Sequence, residues 1–164
     1  MEVCSGILKM RYNKELTYEL VKDKALRLLE FRSHSEKELR DKLKRYGAEQ
    51  EDIDKVIEFC IEYNFINDED FAKRKAADLK NLKKYGKNRI KSELYAIGIN
   101  SYIIEDVISK MDFDDEEDVL YPLVMKKLNN DFEKKSIDRC VRYFIYRGYE
   151  INDIKNAIDK CKPE

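Results

Sequence analysis

The chain has 164 residues, of which 41% are charged and 43% are hydrophobic. Five glycines and two prolines are few, so the composition favours a helical protein with enough chain to bury a core, and it argues against a sheet-rich or disordered one. No stretch approaches the ~18 consecutive apolar residues of a membrane span, and the first residues lack the apolar core of a signal peptide. We therefore expect a cytoplasmic protein that makes no membrane contact.

The formal net charge of −1 conceals two blocks of opposite sign. Residues 48–70 contain nine acidic residues and one basic residue, whereas residues 73–91 contain nine basic residues and one acidic residue. A polyanionic partner or an acidic protein surface would explain this asymmetry, although a solvated helix face is the commoner reason for any single charge run.

The first helix is predicted over residues 18–31, and the segment from Ser35 to Gly47 carries the signature of a second. Ser35 and Glu38 have the spacing of a capping box, in which each side chain accepts a backbone hydrogen bond from the other residue. Leu39 and Leu43 follow on one apolar face. Gly47 supplies the left-handed backbone with which helices often end, and a third amphipathic helix follows it.

The same arrangement recurs after 51 residues and again after a further 50. The aligned positions are Leu39, Ile90 and Cys140; Leu43, Leu94 and Phe144; Gly47, Gly98 and Gly148; Ile53, Ile104 and Ile154; Val56, Val107 and Ala157; and Ile57, Ile108 and Ile158. The same shifts place Gly86 and Ser136 where Ser35 stands, as helix N-caps. Such agreement in type or size over three copies indicates an internal repeat.

Each copy has room for a helix before the pair, at residues 18–31, 70–85 and 118–129, the last with Pro122 in its first turn. We therefore predict an all-α fold of three tandem three-helix repeats in an elongated, curved array that is either right- or left-handed. The predicted units are residues 18–66, 67–112 and 113–164, after an N-terminal extension over residues 1–17 of open role. Because a unit of this size has a marginal core, neighbouring units are expected to share apolar surface.

The residues supply little for catalysis or metal binding. Gly86 and Lys87 could end a phosphate-binding loop, but Asn81 and Asn88 stand where that motif needs glycine and a hydroxyl. The four cysteines and the single histidine lack the short spacings of a zinc site, and the acidic stretch over residues 112–118 lacks the glycine and glutamate of an EF-hand. We predict no enzymatic activity, no cofactor, no metal and no small-molecule substrate.

The basic block is the better candidate for function. On a helical wheel of a helix over residues 70–85, Lys73, Lys80 and Lys84 fall on one side, away from the apolar arc. Cations on the second helix of each unit extend this stripe, and such a series suits a phosphate backbone or an acidic protein surface. The candidate partner-binding or nucleic-acid-binding residues are Lys73, Lys80, Lys84, Lys87, Arg89, Lys91, Arg40, Lys44, Arg139 and Arg142.

Three ordered segments resemble the signatures of the RecX family of regulatory proteins: "RSHSEKELRDKL" (residues 32–43), "NFINDEDFA" (64–72) and "GKNRIKSELYAIGI" (86–99). The resemblance covers about residues 20–160 and is thinnest in the third unit. The residues that match the family motifs, mainly at packing positions, are Ser35, Glu38, Leu39, Lys42, Leu43, Gly47, Asp68, Phe71, Ala72, Gly86, Ile90, Glu93, Leu94, Gly98 and Ile99.

This resemblance implies a protein that binds the RecA recombinase filament, contacts single-stranded DNA directly or through RecA, and carries out no chemistry itself. It implies that the filament's growth, ATP hydrolysis, strand exchange and co-protease activity are lowered, which tunes homologous recombination and the SOS response. No long apolar heptad demands a dimer, so a monomer is expected. The residues alone leave two alternatives open: a sequence-tolerant DNA-binding helical repeat protein that acts without RecA, and an α-solenoid protein adaptor.

Overall fold

The structure is a computed structural model that describes residues 17–113 and 116–162. Within these ranges the regular secondary structure consists of nine α-helices, which confirms the predicted all-α class. They are α1 (Tyr18–Phe31), α2 (Glu36–Tyr46), α3 (Gln50–Glu62), α4 (Asp68–Asn81), α5 (Lys87–Ala96), α6 (Ser101–Lys110), α7 (Glu116–Leu128), α8 (Lys134–Tyr146) and α9 (Ile151–Cys161). Nearly all of the predicted N-terminal extension, and Asp114 and Asp115 of the acidic stretch, lie outside the described residues.

The buried apolar residues form three clusters, each built from three consecutive helices. We name these helix trios unit 1 (α1–α3), unit 2 (α4–α6) and unit 3 (α7–α9), and the main helix contacts fall within each trio. The apolar positions aligned by the sequence repeat lie in these clusters. Leu39 and Ile90 are fully buried and Cys140 is 1% exposed, so the second helix of each unit contributes to its own core.

The predicted ends of the second helices are largely confirmed. Gly47, Gly98 and Gly148 all take positive φ, at 98°, 84° and 92°. The Ser35 hydroxyl accepts a hydrogen bond from the Glu38 backbone N–H at 3.1 Å. The reciprocal bond of the predicted capping box, from the Ser35 backbone N–H to the Glu38 side chain, is wrong. The Glu38 carboxylate instead accepts two hydrogen bonds from the Arg32 guanidinium.

The predicted range of α4 is wrong at both ends. The helix begins at Asp68, because the Asn67 side chain caps it by accepting a hydrogen bond from the Asp70 backbone N–H at 3.0 Å. It ends at Asn81, and Lys84 takes a left-handed backbone with φ of 52°. The prediction that Lys84 continues a stripe along this helix is therefore wrong.

Two boundaries in unit 3 also differ from the prediction. Because α7 begins at Glu116, Pro122 lies inside the helix and not in its first turn, so one backbone hydrogen bond of α7 is missing. The N-cap of α8 is Glu133, so Ser136 lies within the helix and is no N-cap. The Ser136 hydroxyl donates to the Asp131 carboxylate at 2.5 Å.

Units 2 and 3 meet through backbone atoms at Gly86. The Gly86 N–H donates to the Arg147 carbonyl at 2.9 Å, and the Asn88 N–H donates to the Gly148 carbonyl at 3.2 Å. A Cβ on Gly86 would lie 2.6 Å from the Gly148 carbonyl carbon and oxygen. Since φ of Gly86 is an ordinary −74°, the close approach of the two backbones, and not the local conformation, requires glycine here.

Units 1 and 2 meet in the equivalent way, but through side chains. The buried Ser35 hydroxyl donates to the Ile97 carbonyl at 2.6 Å, and the Glu36 N–H donates to the Asp68 carboxylate at 2.9 Å. A Cβ on Gly98 would overlap the Lys37 side chain. The N-terminus of α2 therefore contacts the C-terminus of α5, whose own N-terminus contacts the C-terminus of α8. Helix dipoles in this end-to-end order attract one another.

We expect Gly86→Ala to lower the free energy of unfolding by about 1–3 kcal/mol, because the added methyl would overpack the contact between units 2 and 3. Urea unfolding measures this loss. The control is Glu49→Ala at the N-cap of α3, where the side chain makes no capping hydrogen bond and we expect a change within about 0.5 kcal/mol. Equal losses in the two variants would contradict the close contact.

His34 is a buried titratable group beside the contact between units 1 and 2. It is 3% exposed, and its Nδ1 lies 2.8 Å from the Arg32 carbonyl, so Nδ1 carries the proton and donates. Its Nε2 is buried and has no hydrogen-bond partner among the described residues. Burial, followed by the nearby charge of Arg32, lowers the pKa of His34 below its ordinary value of 6.5. The neutral ring is therefore the form that the fold accommodates.

The lowered pKa of His34 predicts a loss of stability on acidification. The contribution of the neutral ring is fully present above pH 6.5 and is lost as the pH falls from there through the lowered pKa. The slope of the unfolding free energy from this group is at most about 1.4 kcal/mol per pH unit. We expect His34→Asn, whose amide keeps the donor to Arg32, to flatten the pH dependence of urea unfolding between about pH 7 and pH 5.5. Equal slopes in wild type and variant would rule out His34 as its source.

Candidate functional site

The predicted cations of α4 do not form a free stripe. The Lys73 ammonium lies 3.8 Å from the Asp70 carboxylate on the same helix. The Lys80 ammonium donates to the Asp112 carbonyl and lies 5.4 Å from the centroid of the Phe113 ring. Lys80 thus ties the end of α4 to the segment that follows α6.

Arg40 and Lys91 occupy equivalent positions and make equivalent ion pairs. Arg40 lies 2.5 Å from the Asp54 carboxylate and Lys91 lies 2.8 Å from the Glu105 carboxylate. The two acids lie 51 residues apart, as do the two cations, so the pair repeats with the sequence. Each pair joins the second and third helices of its unit, and the Arg40 guanidinium lowers the pKa of Asp54. The structure therefore assigns these two candidates a place within the fold.

Arg89 also lies at a contact between units. Its guanidinium is 2.6 Å from the Glu93 carboxylate and 4.7 Å from the centroid of the Tyr146 ring, which belongs to α8. Its side chain is 27% exposed. Arg89 is consequently held between α5 and α8, with less freedom to meet a partner than its charge alone suggests.

The remaining candidates are exposed. Lys44 lies in the last turn of α2, Lys87 is the first residue of α5, and Arg139 and Arg142 lie on α8. Lys84 is exposed on the connector between α4 and α5. These five are the predicted cations that the structure leaves best placed to contact another molecule.

The residues that match the family motifs are mostly structural. Ser35, Asp68, Gly86 and Gly98 form the contacts between units described above, while Glu38 and Glu93 pair with arginines. Lys42 is half-buried and Gly47 ends α2. The apolar members, all buried, are Leu39, Leu43, Phe71, Ala72, Ile90, Leu94 and Ile99.

Asp68 has an unusual electrostatic environment among these residues. Its carboxylate accepts the Glu36 N–H, but burial and the charges of Glu36 and Glu38 raise its pKa above the ordinary value of 3.8. Burial is the largest of these effects. The contact between units 1 and 2 thus retains a carboxylate close to two others.

The sequence reasoning missed an aromatic and cationic cluster between units 2 and 3. The Arg147 guanidinium lies 5.0 Å from the Tyr85 ring centroid and 5.5 Å from that of Tyr143, and it donates to the Lys83 and Lys84 carbonyls. The Lys127 ammonium lies 4.3 Å from the Tyr143 ring centroid. The stretch "RYFIYRGY" (residues 142–149), which interleaves aromatic and basic residues, carried the available signal.

The described residues contain no group of three or more His, Cys, Asp or Glu side chains that could hold a metal ion. Cys60, Cys140 and Cys161 are buried free thiols, as predicted, and burial raises the pKa of each. Cys4 lies outside the described residues. In that same part of the chain that the structure describes, none of the helices combines the length and the apolar character that crossing a membrane requires.

Two family models match the chain. The model of the first three-helix domain of RecX matches residues 22–60, and that of the second matches residues 67–108. These ranges fall on α1–α3 and on α4–α6. The matches thus coincide with two of the three trios that the buried clusters define.

Relatives named "Regulatory protein RecX" align with most of the chain. The protein of Clostridium perfringens (strain 13 / Type A) is 37% identical over 88% of this chain and 69% of its own length. That of Clostridium botulinum (strain Eklund 17B / Type B) is 31% identical over 97% of this chain and 76% of its own length. That of Cronobacter sakazakii (strain ATCC BAA-894) is 33% identical over 84% of this chain and 90% of its own length.

A solved structure agrees at the level of the fold. The crystal structure of RecX from Lactobacillus salivarius superimposes with a TM-score of 0.76, at 22% sequence identity, over 88% of this chain and 96% of that one. The matching family models, the relatives and the fold all agree on one family. The chain belongs to the RecX family of regulatory proteins.

Proposed function

We propose that this protein binds RecA recombinase filaments on single-stranded DNA and lowers their growth, ATP hydrolysis, strand exchange and co-protease activity. It acts as a cytoplasmic monomer in homologous recombination and in the SOS response to DNA damage. The observation that carries this proposal is the similarity to RecX proteins over nearly the whole chain, since a role in regulating RecA is implied for that family.

The mechanism that we propose is steric and electrostatic. The three units, over residues 18–66, 67–112 and 113–164, form an elongated, curved array that lies along the filament. The five exposed candidates face acidic RecA surface or DNA phosphates; they are Lys44, Lys84, Lys87, Arg139 and Arg142. Charges at the rim of an interface mainly speed association and set its salt dependence.

Support for this mechanism comes from how the fold uses its charges. Arg40 and Lys91 pair with carboxylates on the neighbouring helix of their own unit, and Arg89 pairs with Glu93 on its own helix, so these three cations contribute little net charge outward. Within residues 17–113 and 116–162, by contrast, Lys44 and Lys84 form no ion pair. Opposite charge on a filament surface would complement such cations.

The experiment that tests the proposed function is RecA ATP hydrolysis on single-stranded DNA, with this protein added at substoichiometric amounts. We expect the steady-state rate to fall and the filaments seen by electron microscopy to shorten. An unchanged rate together with unchanged filament length would refute the proposed function. A protein adaptor that ignores RecA would give that result.

We expect the double variant Lys84→Glu and Lys87→Glu to need about tenfold more protein for half-maximal inhibition, because two charges that face the filament become repulsive. The matched control is Lys55→Glu with Lys110→Glu, which makes the same change in net charge on α3 and α6. Thermal unfolding verifies that both proteins fold. Equal inhibition by the two double variants would show that the cationic candidates are placed wrongly.

A further inference from the structure

A groove between units 2 and 3 concentrates positive charge without any acid in its lining. It has a volume of about 420 Å³ and lies between the connector that follows α4 and the helices α7 and α8. Its charged residues are Lys83, Lys84, Lys126, Lys127 and Arg147. Among the described residues, no ion pair involves any of these five. Five like charges around one groove repel one another and would attract an anion.

The groove is held in shape by the contact between the units. Arg147 donates to the Lys83 and Lys84 carbonyls, and the Tyr149 hydroxyl donates to the Lys84 carbonyl at 3.0 Å. These bonds keep Lys84 in a left-handed backbone, with φ of 52°, that is costly for a residue with a side chain. The connector therefore presents Lys83 and Lys84 in one fixed arrangement.

The walls of the groove are aromatic and aliphatic. Tyr143 and Phe144 line one side, and Leu82 and Leu123 line the rest. Leu82 is 76% exposed, so its burial against a ligand would be favourable. A flat apolar ligand that packs on Tyr143 would take the place of the Lys127 ammonium, which could then turn to an anion nearby.

We propose that this groove binds single-stranded DNA directly, with one base against Tyr143 and Leu82 and the flanking phosphates among the lysines and Arg147. A single strand offers both flat bases and regularly spaced phosphates, which match the two kinds of wall. A duplex keeps its bases stacked inside and offers phosphates alone, so it would leave the aromatic wall unused. An acidic peptide would neutralise the lysines but has no base for that wall.

The direct DNA contact rests on the proposed function and deepens it, since Lys84 serves both, but binding at the groove needs no RecA. Its test is therefore made without RecA, and its failure would leave inhibition of RecA ATP hydrolysis to be judged separately. Fluorescence anisotropy of a labelled 20-nucleotide oligothymidylate reports binding by the full chain across a series of salt concentrations.

We expect Lys83→Ala with Lys126→Ala to weaken binding and to reduce the slope of log affinity against log salt by about 1.4, that is about 0.7 for each phosphate that the variant no longer neutralises. Tyr143→Leu should weaken binding about 5- to 150-fold, the equivalent of removing one base stack, with the salt slope unchanged. Tyr143→Phe should bind as wild type. Should Tyr143→Leu fail to fold, Leu82→Ser at the exposed rim is expected to weaken binding without unfolding the protein.

Several outcomes would overturn the proposal. One is that the protein does not bind the oligonucleotide at low salt, and another is that neither Tyr143→Leu nor Leu82→Ser changes the affinity. The proposal would also fail if the matching duplex bound as tightly as the single strand, or if polyglutamate of similar length displaced the oligonucleotide as well as unlabelled single strand does. The control Lys55→Ala with Lys110→Ala removes two lysines outside the groove and should leave the affinity within about twofold of wild type.

Discussion

The contact on which the rest of this structure depends is the docking of one helix N-terminus onto the left-handed glycine that ends the equivalent helix of the next unit. A helix leaves backbone N–H groups unpaired at its start and carbonyls unpaired at its end. Here the start of α5 donates to the carbonyls of Arg147 and Gly148, and the start of α2 donates to that of Ile97. Each unit thus satisfies backbone groups that its neighbour leaves open.

The contact between units 1 and 2 and the contact between units 2 and 3 both pair backbone groups at helix ends, but they do so through different groups. The residues at the two contacts differ for that reason. Gly86 brings two backbones together directly, because it has no Cβ to obstruct the Gly148 carbonyl. Ser35 instead reaches the Ile97 carbonyl with its hydroxyl, which also caps α2. Each interface between units therefore forms at the N-cap of a second helix, through a backbone N–H at Gly86 and through a hydroxyl at Ser35.

The same contacts decide which cations are available for function. Arg89 carries charge that would suit a polyanion, yet its guanidinium stacks on the Tyr146 ring at the contact of units 2 and 3. Arg40 and Lys91 are used in repeated ion pairs within units. Fewer cations are therefore exposed than the sequence contains. The exposed ones lie at helix ends, on one face of α8 and around the groove between units 2 and 3.

The periodic apolar positions and the terminal glycines were sufficient to predict that nine helices form within the described residues and that the aligned apolar positions are buried, because these depend on local spacing and on which faces avoid water. Three features could not be predicted in this way: the hydrogen-bond partner of Glu38, the end of α4 and the backbone conformation of Lys84. Each depends on a residue from elsewhere in the chain or on a competing cap. Sequence alone therefore determined the helices and their inward faces. Tertiary structure alone decided which charges are paired and which line a groove, because a charge's partner is a matter of distance in space and not of position along the chain.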